Sequence, residues 1–149
     1  MSNTYIYLLI ALLAGAMMPT QAATNNKMAA FVDNPILAAF ISFLVGTVAL
    51  FVYLLFTGVP LVNIAGVREA PAVAWAGGFL GAFFVTAAVV LVPRMGVAIA
   101  FGVMMAGQMI VTLIIDHFGL LGVEVRPANW QRIAGILLIM GGVVLIRKF

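Results

Sequence analysis

Gln108, Thr112 and Asp116 are spaced i, i+4 and i+8 inside a long apolar run, which stacks the three along one stripe of a helix. His117 lies next to that stripe, and Asp116 with His117 is the one acid–base pair in or near an apolar segment. A carboxylate beside an imidazole has the means to trade a proton near neutral pH, so Asp116 and His117 are the candidate proton-coupling residues. A second polar set lies nearer the N-terminus, where Gln21 and Asn25 sit one turn apart beside Thr20, Thr24 and Asn26. Polar groups are costly in hydrocarbon and face a bundle interior or a cavity. Gln21, Asn25, Gln108 and Thr112 are therefore the candidate substrate-binding residues, on two faces that line a polar pathway. The competing reading is interhelical hydrogen bonding that holds helices together, each bond contributing about 0.6 kcal/mol in a bilayer. Asp116 and His117 also stand at the end of their run, just before Phe118 and Gly119, where interfacial water makes a structural role for the aspartate a competitor to coupling.

Enzyme chemistry finds no foothold. A lone His with one Asp nearby lacks a nucleophile partner, a metal set or a phosphate loop. No catalytic residue, cofactor or metal is expected, and with no cysteine in the chain neither disulfides nor a redox compartment can be read.

The elements that hold these groups follow from composition. The 149 residues are 66% hydrophobic and 7% charged, with a mean hydropathy of +1.27, against roughly 25% charged in soluble domains. Eleven charged side chains cannot cover a folded surface in water, so the surface must face lipid. Apolar content this high also excludes disorder. The seven Lys and Arg residues are scattered singly and form no patch, so the net charge of +3 does not point to nucleic acid.

A hydrocarbon core about 30 Å thick needs roughly 20 apolar residues per helix. Charges, prolines and glycines cut the chain into five such runs, expected at about 5–28, 35–56, 71–92, 95–115 and 130–146, within a single transmembrane domain over 1–149. The runs do not alternate apolar with polar, which excludes a β-barrel. The first 24 residues imitate a secretory signal but lack its basic start, and this segment is expected to be the first membrane helix. Pro19 is expected to kink it. Pro93-Arg94 is expected to turn the chain between helices three and four, and Asn129 to cap helix five. The longest connection, Thr57 to Ala70, is too short for a soluble module. Small-residue spacings such as Ala38-x-x-x-Ser42-x-x-x-Gly46, Gly77-x-x-x-Gly81 and Gly102-x-x-x-Ala106 mark places where helix backbones can approach closely.

An odd helix number puts the termini on opposite sides of the membrane. Arg68, Arg126 and Arg132 then share the side of the N-terminus, while Lys27, Arg94, Arg147 and Lys148 occupy the other, 3 against 4. Orientation follows an excess of Lys and Arg on cytoplasmic loops, and here there is almost none. Such balance suits a chain inserted in both orientations, or one that pairs with an oppositely oriented partner. Five helices make one half of an inverted-repeat transporter, whose binding site lies at the repeat interface.

Particular runs resemble a known family: Gly15 to Asn25 (GAMMPTQAATN), Ala39 to Gly46 (AFISFLVG), Gly77 to Phe83 (GGFLGAF), Val92 to Gly96 (VPRMG), Gly107-Gln108, Asp116 to Gly119 (DHFG) and Arg132 to Gly135 (RIAG). Together they resemble the YdcZ-like branch of the drug/metabolite transporter superfamily across almost the whole chain. The resemblance implies a small five-helix protein of the bacterial inner membrane, a transporter fold related to ten-helix inverted-repeat exporters of the EamA-like type, and an unassigned substrate. Helix one lacks the central carboxylate of the four-helix multidrug relatives, and helix three opens with a single Trp75 where the family tends to have more.

The expectation is thus an all-α integral membrane protein, half of a ten-helix inverted-repeat transporter. It would work as an antiparallel homodimer, or with an oppositely oriented paralogue, and move a small polar or amphipathic solute by alternating access. A passive channel formed by a dual-topology dimer and a non-transporting membrane scaffold are the alternatives.

Overall fold

The computed structural model describes residues 2–149. Five α-helices dominate it: α1 (Ser2–Val32), α2 (Pro35–Thr57), α3 (Ala76–Met95), α4 (Val97–Phe118) and α5 (Trp130–Lys148). Short 3-10 segments at Leu61–Glu69, Ala72–Trp75 and Leu120–Gly122 complete it, and no strand occurs among the described residues. All five helices are long and apolar enough to cross a membrane. Even the 19 residues of α5 span about 29 Å at 1.5 Å per residue.

Helix ends are set by capping chemistry rather than by charge. Lys27 does not stop α1, since a long cationic side chain can carry its head toward water. The helix continues to Val32, and Asp33 turns the chain at φ +51. Asn34 then caps α2, its Oδ1 accepting hydrogen bonds from the amides of Ile36 (2.9 Å) and Leu37 (3.0 Å). Asn129 caps α5 as expected, its Oδ1 accepting from the Arg132 amide at 2.8 Å. The turn between α3 and α4 is not at Pro93-Arg94. The helix runs through Pro93 to Met95, and Gly96 turns at φ +82. A proline near a helix end removes one hydrogen bond, whereas a positive φ is easy only for glycine. Pro19 likewise stands inside an unbroken α1. Its ring withholds an amide from the Gly15 carbonyl, and the Thr20 hydroxyl donates to the neighbouring Ala16 carbonyl at 2.9 Å. Finally, α4 extends to Phe118, which puts Asp116 and His117 inside its last turn.

The helices form two compact units, Met1–Pro93 and Arg94–Phe149. In the first, α1 packs on α2 through alanines; Ala22, Ala38 and Ala39 are buried. On α3, Val85, Ala88 and Val89 are buried, and a Cβ at Gly81 would lie 3.6 Å from the Phe43 ring. Gly77 faces open space, so of that small-residue pair Gly81 alone touches a neighbour within the unit. In the second unit α4 packs on α5, with Ala100 and Ala106 buried. At Gly102 the two helices pack tightly: a Cβ there would stand 2.8 Å from Val143 Cγ2. Most large apolar side chains are exposed, Phe40, Phe56 and Phe79 among them. That is the surface a lipid solvent requires.

Candidate functional site

The polar groups at the end of α4 are tied into a network by the chain that follows. The Arg132 guanidinium in the first turn of α5 donates through Nη2 to Asp116 Oδ2, and through Nη1 to the Arg126 carbonyl at 2.8 Å. The Arg126 amide in turn donates to the Asp116 carbonyl at 2.8 Å. His117 is engaged separately: its Nδ1 accepts from the Ala128 amide at 3.0 Å, and its ring meets the Phe118 ring edge-on. Asp116 and His117 therefore take different partners. Further out, Glu124 and the exposed Arg126 pair at 3.0 Å. A hydrogen bond from Arg126 to Glu124, reinforced by that carboxylate's charge, raises the guanidinium above its usual pKa.

This connection can cross from α4 to α5 because Gly119 adopts φ +61 and returns its amide to the Ile115 carbonyl, an αL cap that closes the helix. Leu121 takes the same left-handed conformation at φ +61 without being glycine. Below the network lies a cavity of about 270 Å³ between α4 and α5, lined by Thr112, Met109 and Leu113 on one side and by Arg132, Gly135 and Ile136 on the other. Thr112 and Arg132 are its polar groups. Gln108, one turn further along the stripe, is exposed.

On α1 the polar set divides. Thr20 and Thr24 turn back onto their own helix, donating to the Ala16 and Gln21 carbonyls, and Asn26 Nδ2 donates to the Ala22 carbonyl at 2.9 Å. Such back-bonding lets a hydroxyl or amide live in an apolar medium. Asn25 has no such arrangement. Its side chain is 6% exposed, and its Nδ2 is buried without a hydrogen-bond partner. An unmade bond of this kind costs about 1–3 kcal/mol. Gln21, one turn away, lines a cavity of about 200 Å³ with Ser42, Gly46 and Thr47 of α2.

Gln21 and Asn25 thus belong to the first unit, and Gln108, Thr112, Asp116 and His117 to the second. Arg132 is the residue that sequence reasoning missed. Its signal was present, because Asp116 and Arg132 end and begin consecutive antiparallel helices on one side of the membrane and carry opposite charges. Among the described residues, no group of three or more His, Cys, Asp or Glu comes together to hold a metal ion.

A family model described as "Putative inner membrane exporter, YdcZ" matches residues 6–145. No curated protein and no solved structure matches the chain.

Proposed function

The chain belongs to the YdcZ family and is a multi-pass inner membrane protein, and from that premise we propose that it exports a small polar or amphipathic solute by alternating access as an antiparallel dimer. Two copies supply ten helices in inverted orientation, the arrangement in which transporters place a binding site between repeats. The 3-against-4 division of Lys and Arg supports insertion both ways.

The observation that carries the reading is the buried, unpartnered amide of Asn25. A donor held at membrane depth at a cost in stability is the group a passing solute can satisfy. Gln21 supports the same end of the site from its cavity. Gln108 and Thr112 supply the polar stripe of α4, with Thr112 at the wall of the second cavity. Asp116 is the coupling group in this proposal, with His117 beside it. On taking up a proton it loses the charge that holds Arg132, and the end of the α4–α5 hairpin is released.

A thermal-shift screen of the purified protein against small metabolites and cations identifies the solute, and counterflow in proteoliposomes tests transport. The proposal expects saturable stabilisation and exchange of labelled for unlabelled solute. Flux without counterflow would make the protein a channel, and stabilisation without flux a scaffold. The chain has no cysteine, so pairs of introduced cysteines report the dimer's orientation by cross-linking without background.

A further inference from the structure

The cavity lined by Gln21 has a distinct chemical bias. It measures about 200 Å³; Gln21 of α1 with Ser42 and Thr47 of α2 form its polar side, and Phe43 and Leu50 its apolar side. An apolar cavity of about 150 Å³ takes a benzene molecule, so this one has room for a ring with a small polar group attached. None of the lining groups is charged. Helix α2 contains no Asp, Glu, Lys or Arg, and Lys27 stands two residues past Asn25, about 200° round α1 from it. The hydrogen-bonding capacity of the site is largely unspent. The Thr47 hydroxyl donates to the Phe43 carbonyl at 2.8 Å, but the side chains of Gln21 and Ser42 make no hydrogen bond among the described residues. Asn25 follows one turn, about 6 Å, along the Gln21 face of α1, with its buried Nδ2 unpartnered.

We propose that this cavity selects an uncharged solute of about the size of benzamide, with its apolar body against Phe43 and Leu50 and a carbonyl or hydroxyl oxygen accepting hydrogen bonds from Gln21 and Ser42. Asn25 is the next donor along the face. The inference rests on the export reading and adds to it the class of solute. Removing a full charge from water without a countercharge is costly, and this unit offers the charge no partner in the cavity. A cation would gain from the face of the Phe43 ring, but phenyl is no better than the other aromatic rings in that role and the gain is smaller than the cost of desolvation. A neutral acceptor has no such cost, and it satisfies donors that are otherwise unmatched. A purely apolar solute would fill the space and leave those donors as they are.

The test uses the purified full chain in detergent and four probes of nearly one shape: benzamide, the cation benzamidine, the anion benzoate, and toluene, which keeps the ring without the carbonyl. Dissociation constants come from the dose dependence of the thermal shift at pH 7. Benzamide is expected to bind at least about tenfold more tightly than either ion and more tightly than toluene. Gln21→Leu should erase the preference for benzamide over toluene, and Gln21→Glu, which places a carboxylate in the cavity, should move the preference toward benzamidine. Gly46→Val, which adds bulk to the wall where a Cβ meets nothing within 4 Å, should weaken binding of all four without loss of the fold. Benzamidine or benzoate binding as tightly as benzamide would overturn the proposal and leave export of a charged solute standing. Toluene equal to benzamide, no stabilisation by any of the four, or a Gln21→Glu variant with the parent's preference would overturn it as well. Benzamide-selective binding without counterflow of labelled benzamide would uphold the site and remove the export reading instead.

Discussion

The Asp116 carboxylate and the Arg132 guanidinium, sixteen residues apart in sequence, form an ion pair that joins the last turn of α4 to the first turn of α5. Both side chains are about three-quarters removed from solvent, at 23% and 32% exposure, so the pair is shielded more than a surface contact and less than a core one. Arg132 is also part of the wall of the cavity between α4 and α5. One residue therefore serves both the joining of the hairpin's helix ends and the lining of the space between them.

Breaking that bond from either side should cost stability. Arg132→Gln and Asp116→Asn are each expected to lose about 1.5–3 kcal/mol, the worth of a charge-assisted hydrogen bond. The double variant should lose less than the sum, because the second change removes a group already left unpaired. Thermal unfolding in detergent of the four proteins of this cycle measures the coupling, and strict additivity would mean that the pair contributes nothing.

Asn25 should behave in the opposite sense. Replacing it by Leu removes a buried donor that has no partner and keeps the side chain branched at Cγ with the same number of heavy atoms, so stability should stay level or rise by about 1 kcal/mol. Ligand-induced stabilisation should disappear at the same time. A variant that falls apart in detergent while its folded remnant still binds would make Asn25 a packing residue instead.

At Gly102 the limit is steric. Val143 leaves no room for a side chain, and Gly102→Val should cost about 1–3 kcal/mol through overpacking. Gly46, where an added Cβ meets nothing within 4 Å, is the matched control, and the corresponding change there should be nearly silent. Comparable losses at both positions would refute close α4–α5 packing as the cause.

Coupling is tested separately from stability. With a solute found by screening, Asp116→Asn should preserve equilibrative exchange in proteoliposomes but lose accumulation driven by an imposed proton gradient, since an amide cannot titrate. Accumulation equal to that of the parent protein would eliminate Asp116 as the coupling residue.

Orientation has its own readout. Reporters fused to the C-terminus should detect both topologies in cells, and two additional Lys at one end should bias the mixture, in keeping with the charge rule for loops. A single fixed orientation with no oppositely inserted partner would defeat the dimer proposal.

The helix count was legible because each of the five apolar runs had to satisfy a bilayer, and only long helices do so without strand pairing. The Asn129 cap was legible for a local reason: a side-chain oxygen needs only the next few amides. The turn at Gly96 was harder, because Pro93 carries the stronger textual signal while glycine's tolerance of positive φ decides the geometry. The polar faces were legible as faces but not as partners. Spacing places Thr20, Asn25 and Asn26 together on α1, yet which of them bonds to its own helix depends on rotamers, and Asn25 is singled out only by its burial. Arg132 escaped notice because its pairing crosses a connection, and the sequence stripe was read along α4 alone.

The connection between α4 and α5 also bears on how the chain enters the bilayer. From Asp116 to Arg132 it carries two carboxylates and two guanidiniums, and both pairs are made: Arg132 with Asp116, and Arg126 with Glu124. Its amides at Arg126, Ala128 and Arg132 are satisfied internally as well. To the machinery that threads loops across a membrane, such a segment is internally paired and partly self-solvated. Its two guanidiniums still count on the side of the N-terminus in the 3-against-4 division, because the charge rule weighs Lys and Arg and largely disregards carboxylates, so the pairing eases the passage of the connection in either direction without tipping that balance.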